Sequence, residues 1–170
     1  KTIHFLVKTK KQSNHNFNLD RIRGAIILAD KEGNMSKENK LMLESILDLK
    51  EREVHEVMVH RKDMFSINKE ISKQALLNQL NEVNFTRLPI WDKNPENIVG
   101  IILVKDLLKM IIRSKKVEIE KIIHKPVFIP ETTNLLHQLN FFKEKKKHMA
   151  FVVDEYGVLQ GLITLEDILE

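Results

Sequence analysis

Ile98-Val99-Gly100-Ile101-Ile102-Leu103-Val104-Lys105-Asp106-Leu107-Leu108 and Leu159-Gln160-Gly161-Leu162-Ile163-Thr164-Leu165-Glu166-Asp167-Ile168-Leu169 decide how this chain folds. Both run glycine, short apolar stretch, acid, apolar pair. The glycines lie 61 positions apart, as do Asp106 and Asp167, and Glu70 and Glu131 keep the same offset. Upstream, Leu88-Pro89-Ile90-Trp91-Asp92 matches Ala150-Phe151-Val152-Val153-Asp154 after one residue of slippage. A fixed internal period marks a repeated supersecondary unit, so two copies of one unit occupy about residues 54–170.

Each copy reads strand, helix, strand, strand, helix. In the first, the pattern predicts a strand over 64–67, an amphipathic helix over 71–83, strands over 88–91 and 98–103 joined by the turn Asp92-Lys93-Asn94-Pro95, and a closing helix over 104–112. The second has a strand over 127–129, a helix over 132–146 and strands over 150–153 and 159–163. These last two flank Asp154-Glu155-Tyr156-Gly157, a turn with glycine where positive φ is easily reached. The closing helix starts at Leu165 and is cut short. One such unit cannot cover both faces of its sheet. Two packed about a pseudo-twofold axis can, and the packing leaves clefts between them. The fold class expected is α+β, two β-α-β-β-α repeats preceded by a helical linker.

The chain divides into a polar tether (1–19), a helical linker (20–53), a first repeat (54–116) and a second (117–170). In the linker, Asp20 is expected to cap a helix over 21–30 that ends at Gly33. Ser36 is expected to cap a second helix whose apolar residues are Leu41, Leu43, Ile46, Leu47 and Leu49. Since residue 1 is Lys, the chain reads as an excised fragment.

Composition narrows the function. With 170 residues, 42% hydrophobic and 31% charged, the chain can bury a core. It has no cysteine, which removes disulfides and thiolate metal sites. The net charge of +4 reads as a mixed solvated surface, without the dense basic stripe of a nucleic-acid groove. No apolar run reaches the roughly 20 residues of a membrane helix. No nucleophile elbow, P-loop, zincin motif or dinucleotide fingerprint is present, so the chain is read as a non-enzyme. The seven histidines are scattered and show no metal-ligand spacing.

Val54-His55-Glu56-Val57-Met58-Val59-His60-Arg61, Phe85-Thr86-Arg87-Leu88-Pro89-Ile90, and the run Met149-Ala150-Phe151-Val152-Val153-Asp154-Glu155-Tyr156-Gly157 through Gly161, Thr164 and Asp167 to Glu170 resemble a tandem pair of CBS domains, a Bateman module. More narrowly, they resemble the CBS pair of the CorC/HlyC/CNNM family of membrane proteins, known as magnesium and cobalt efflux proteins and as hemolysin C. The resemblance covers roughly residue 20 to the end. It implies an adenine nucleotide ligand, often ATP, with a magnesium ion able to bridge its phosphates. It also implies a homodimer of CBS pairs, a covalently attached membrane domain and a place on the cytoplasmic face of the membrane, while the charge pattern is what argues for no nucleic-acid partner. Many members carry Pro where this chain has His60, a departure that loosens the loop after Val59.

Carried over residue by residue, the resemblance assigns the nucleotide to Met58, Val59, Phe85, Thr86, Arg87, Pro89, Thr164 and Asp167. An Asp at a helix start can accept hydrogen bonds from two ribose hydroxyls. Thr164 sits where free amides suit an anion. Arg87 offers a bidentate fork for phosphate. Phe85, Pro89, Met58 and Val59 would wall the adenine. A weaker second cleft keeps Asp106 and Lys105 with His148 and Met149, but Leu103 replaces Thr164.

Plainer readings stand beside these. Thr164 and Asp167 taken alone are a helix cap, Arg87 alone is a surface residue, and the lysines from Lys143 to Lys147 are the solvated end of a helix. Two functions remain open: a nucleotide sensor controlling an attached transport domain, and an architectural dimerisation module without a ligand. A secreted cytolysin ranks last.

Overall fold

The computed structural model describes residues 18–80, 84–113 and 117–170. It falls into two compact units. One comprises the N-terminal segment to Arg52 with Asn134–Leu136, and the other comprises Glu53–Thr133 and His137–Glu170.

In the first unit, helix α1 (residues 18–31) and helix α2 (Lys37–Glu51) close on Leu19, Ile26 and Leu47. Helix α1 already includes Asn18 and Leu19, so Asp20 lies inside it and does not cap it. The rest of the expected tether, 1–17, lies outside the described residues. Ser36 does cap α2, its Oγ accepting from the Asn39 amide at 3.2 Å. Of the five apolar residues named for α2, only Leu47 is buried. Arg23 Nη2 reaches both Asp48 (2.8 Å) and Glu51 (2.7 Å). Lys40 meets Asp30 at 2.6 Å, and that hydrogen bond and charge hold its ammonium above the ordinary value.

The second unit contains both repeats. The first runs from a 3-10 turn (Val54–Glu56) through β1 (Val59–His60), β2 (Ile67–Asn68), α3 (Lys73–Leu80), β3 (Arg87–Asp92) and β4 (Asn94–Leu103) to α4 (Val104–Arg113). The second opens on a 3-10 turn (Ile119–Lys121) and continues through β5 (Phe128–Pro130), α5 (Leu135–Lys145), β6 (Met149–Val153) and β7 (Leu159–Thr164) to α6 (Leu165–Leu169). The strand expected over 64–67 is displaced. Met64 to Ser66 form a loop, and pairing with β3 begins at Ile67. Helix α3 starts later than expected, where Ser72 Oγ accepts from the Ala75 amide at 3.3 Å, and its expected end at 81–83 lies outside the described residues.

The sheets are β2-β3-β4 and β1-β7-β6-β5. Strand β1 of the first repeat therefore belongs to the sheet of the second, with Val59 opposite Leu162 and His60 opposite Gly161. The reverse exchange is shorter. His124, from the start of the second repeat, bridges Ile101 through amide–carbonyl bonds of 2.8 and 3.0 Å. Both exchanges cross a glycine. A β-carbon on Gly161 would stand 2.2 Å from the Val59 carbonyl oxygen, and one on Gly100 would stand 2.3 Å from the Ile123 side chain and 2.8 Å from the His124 oxygen. The glycines that mark the repeat in sequence thus mark where each copy's leading segment lies on its partner.

Side chains alternate across the strands. Leu88, Ile90 and Ile102 turn to their own repeat's helices and pack with Leu76, Leu107 and Ile111. Ile98 and Ile101 meet Met149, Phe151, Leu159 and Leu162 in a core that joins the two sheets face to face. The turn after β6 is held by Asp154, whose carboxylate accepts from the amides of Tyr156 and Val158, both at 2.9 Å, and from the Gln160 amide at 2.8 Å, while Gly157 takes φ +80. These donors, first the Val158 amide, hold the Asp154 carboxyl below its usual range against the cost of desolvation.

Candidate functional site

Helix α6 begins as a capping box. Asp167 Oδ2 accepts from Thr164 N at 2.6 Å and from Thr164 Oγ1 at 2.9 Å, and Thr164 Oγ1 accepts from Asp167 N at 3.3 Å. One carboxylate oxygen fixes the turn, and Oδ1 has no partner among the described residues. Across the gap, the segment before β3 presents Phe85, Thr86 and Arg87. The register sets their depth. Arg87 pairs with Leu103, and its counterpart Met149 pairs with Thr164. Val104 N donates to the Thr86 carbonyl as Leu165 N donates to the His148 carbonyl, both at 3.1 Å. Thr86 and His148 are therefore equivalent, as are Arg87 and Met149.

Three openings lie between the repeats. The first, about 190 Å³, brings together Val59, Phe85, Arg87, Pro89, Thr164 and Asp167, six of the eight residues assigned from sequence. Thr86 lines an adjoining opening of about 230 Å³, which shares Phe85, Arg87, Met149, Thr164 and Glu166 with the first and adds Asn84, His148 and Leu165. Met58 lines neither, and its sulfur lies against Gly161. Sequence reasoning missed Asp63, Met64, Phe65, Leu162 and Glu166. Phe65 stands 6.2 Å centroid to centroid from Phe85, so the two rings form one aromatic wall. Only the β1–β7 register could have placed Leu162 here, and a lone Phe in a polar loop gives no periodic signal. The loop after Val59 is tied down despite His60. The His60 carbonyl accepts from Asp63 N at 2.8 Å, and Nδ1 accepts from Lys62 N at 3.3 Å.

Asp63, Glu166 and Asp167 outnumber Arg87 in this first opening, so it suits neutral polar and apolar groups, with anionic groups drawn toward Arg87 and the mouth. Arg87 makes no ion pair among the described residues, and its Nη1 donates to Thr86 Oγ1 at 3.2 Å.

The third opening, also about 230 Å³, is the pseudo-symmetric cleft. It contains His148 and Met149 as expected, but both also line the cleft mouth on the other side. Lys105 and Asp106 are not in its lining, and Asp106 Oδ1 lies 3.4 Å from Lys109. Leu103 is there in place of a capping Thr. Among the described residues no three His, Asp or Glu side chains gather in a way that could hold a metal ion, and no helix is long and apolar enough to cross a membrane.

Comparison with known proteins agrees with the repeat geometry. The CBS domain family model matches residues 54–113 and again 118–170. The chain belongs to the CBS-domain family. It is a tandem CBS pair of the CNNM/CorC kind. It is 35% identical over 136 residues to hemolysin C of Brachyspira hyodysenteriae, covering 80% of this chain and 50% of that protein. It is 32% identical over 154 residues to the magnesium and cobalt efflux protein CorC of Vibrio cholerae, covering 89% of this chain and 53% of that protein. The chain thus spans about half the length of these curated relatives. Among solved structures, the CBS domain of a bacterial CNNM/CorC family Mg2+ transporter in complex with ATP superposes with a TM-score of 0.68 at 37% identity, covering 76% of this chain and 92% of that one. The names these relatives carry are those of efflux proteins and Mg2+ transporters.

Proposed function

We propose that the cleft between the repeats binds an adenine nucleotide and that the CBS pair is a regulatory sensor. The observation that carries this reading is convergence. A helix-capping carboxylate with one unengaged oxygen, from the second repeat, faces the aromatic wall and the unpaired arginine of the first. The Asp167 carboxylate would take the ribose hydroxyls. Phe65, Phe85, Val59 and Pro89 would enclose the base. Arg87 and Thr86, at the mouth, would take the phosphates, where a magnesium ion could bridge them without a protein ligand. The ATP-bound solved relative supports the ligand class. In the full-length protein, we propose, the sensor controls an attached CorC-type ion-transport domain from the cytoplasmic face of the membrane. Such control requires the nucleotide to bind two conformations of the module with different affinity.

Dimerisation is expected alongside this role, since the closing helices leave Leu108, Ile112 and Leu169 exposed. A purely architectural dimer without a ligand is the competing reading. Calorimetric titration of ATP, ADP and AMP, with and without magnesium, separates the two. The sensor reading requires saturable binding that Asp167→Ala abolishes and that Arg87→Ala weakens most for ATP. Absence of heat or thermal shift with every adenine nucleotide would leave the architectural reading.

A further inference from the structure

The pseudo-symmetric cleft has the opposite polarity to the first. Arg87, His124, Lys125, Lys146, Lys147 and His148 converge on it, and its lining holds no carboxylate. None of these six side chains meets an acid among the described residues. Elsewhere on the surface, cations such as Arg23, Lys40, Arg61, Lys69 and Lys121 do pair with carboxylates.

One of the six is held at a conformational cost. Helix α5 ends at Lys145, and Lys146 takes φ +51, a left-handed conformation that normally falls to glycine at this place in a helix terminus. The next amide, Lys147 N, closes back on the Phe142 carbonyl at 3.0 Å. Glycine would satisfy this turn with less strain, yet the position holds a lysine that lines the cleft. A residue in a rarely populated backbone conformation that also lines a cleft is a reason to look for a ligand there.

We propose that this second cleft is an oxyanion site that takes a phosphate or polyphosphate group and no nucleoside. Leu103 removes the capping hydroxyl, and Asp106 is turned to Lys109 outside the lining, so nothing in the cleft corresponds to the ribose carboxylate of the first. Ile101, Leu103 and Val127 form an apolar floor, so the cations at the rim supply the charge that draws an anion. With a free anion the proposal does not rest on nucleotide binding in the first cleft, and with a nucleotide tail it does. The oxyanion has two sources, free inorganic polyphosphate or the phosphate tail of a nucleotide seated across the divide, because Arg87, His148 and Met149 line both sides.

The test is calorimetric titration of the chain with sodium tripolyphosphate, AMP and ATP at low ionic strength, repeated on Lys146→Gly, Lys125→Ala and Asp167→Ala. For a free anion, tripolyphosphate binds the parent chain, weakens by up to about fivefold in each lysine variant, as expected for exposed charge pairs, and is unchanged in Asp167→Ala. For a nucleotide tail, tripolyphosphate gives no heat, but the preference for ATP over AMP falls in both lysine variants. The melting temperature of Lys146→Gly is expected to equal or exceed that of the parent, so a binding loss there is not a folding loss. The proposal is overturned if neither tripolyphosphate affinity nor the ATP-to-AMP preference responds to the lysines. If AMP and ATP fail to bind while tripolyphosphate binds through the lysines, the nucleotide reading fails and the oxyanion site stands.

Discussion

Replacing Gly161 with alanine tests whether the strand exchange holds the repeats together. The added methyl would stand 2.2 Å from the Val59 carbonyl oxygen and 3.2 Å from the Met58 sulfur. Ordinary contact needs about 1 Å more than the first distance, and the obstacle is backbone. If β1 retreats, the pairing of Val59 with Leu162 and the 2.8 Å bond from Arg61 N to the Gln160 carbonyl are strained or lost. Each such bond contributes about 1 kcal/mol net. If β1 holds, the crowding costs about 1–3 kcal/mol. The two routes together span a loss of about 1–3 kcal/mol, a fall of roughly 2–12 °C in Tm for a chain of this size. Because Val59 walls the first cleft, nucleotide affinity should fall as well. Urea unfolding followed by circular dichroism reads the stability. A variant as stable as the parent would refute the seating of β1 on Gly161.

In contrast, Gly24 is helical and open, with nothing within 4 Å of an added β-carbon, so Gly24→Ala should stabilise by about 1 kcal/mol in urea unfolding. The Asp154 carboxyl sits below its usual value in the folded chain, so its contribution to stability is complete above about pH 4 and lost as pH falls through the folded value. An acid titration of the unfolding midpoint should therefore be shallower in Asp154→Asn over that window, and an identical acid limb would count against the turn geometry. Gln138 is 1% exposed with its amide nitrogen unpartnered, so Gln138→Met should be neutral or stabilising by about 1 kcal/mol. A marked loss of stability would reveal a partner for that amide.

The repeat made most of this fold legible. Gly100 with Asp106 and Gly161 with Asp167 fixed the strand–helix junctions, and the observed β4–α4 and β7–α6 corners fall at those places. The pairing partners were not legible. Val59 and His124 sit in segments with two paired residues or fewer, too short for a periodic signal, and nothing local says that each joins the other copy's sheet. That exchange is also what brings Val59 and Leu162 into the cleft. Asp20 misled because an acid ahead of apolar spacing reads as a cap, whereas Leu19 had already entered the hydrophobic contact of the helix pair. Asp106 differs from Asp167 in its surroundings. Its position repeats that of Asp167, but without a threonine at 103 no capping box turns it inward, and Lys109 takes its carboxylate.

The most direct test of the nucleotide cleft is amide chemical-shift mapping of the isotope-labelled chain on addition of ATP. The expected result is a saturable set of shifts centred on Thr164 to Asp167, Phe85 to Arg87 and Val59, absent in Asp167→Asn, which keeps an acceptor for the cap but loses the charge. Shifts confined to other surfaces, or none at saturating ATP, would contradict the assignment of this cleft to an adenine nucleotide.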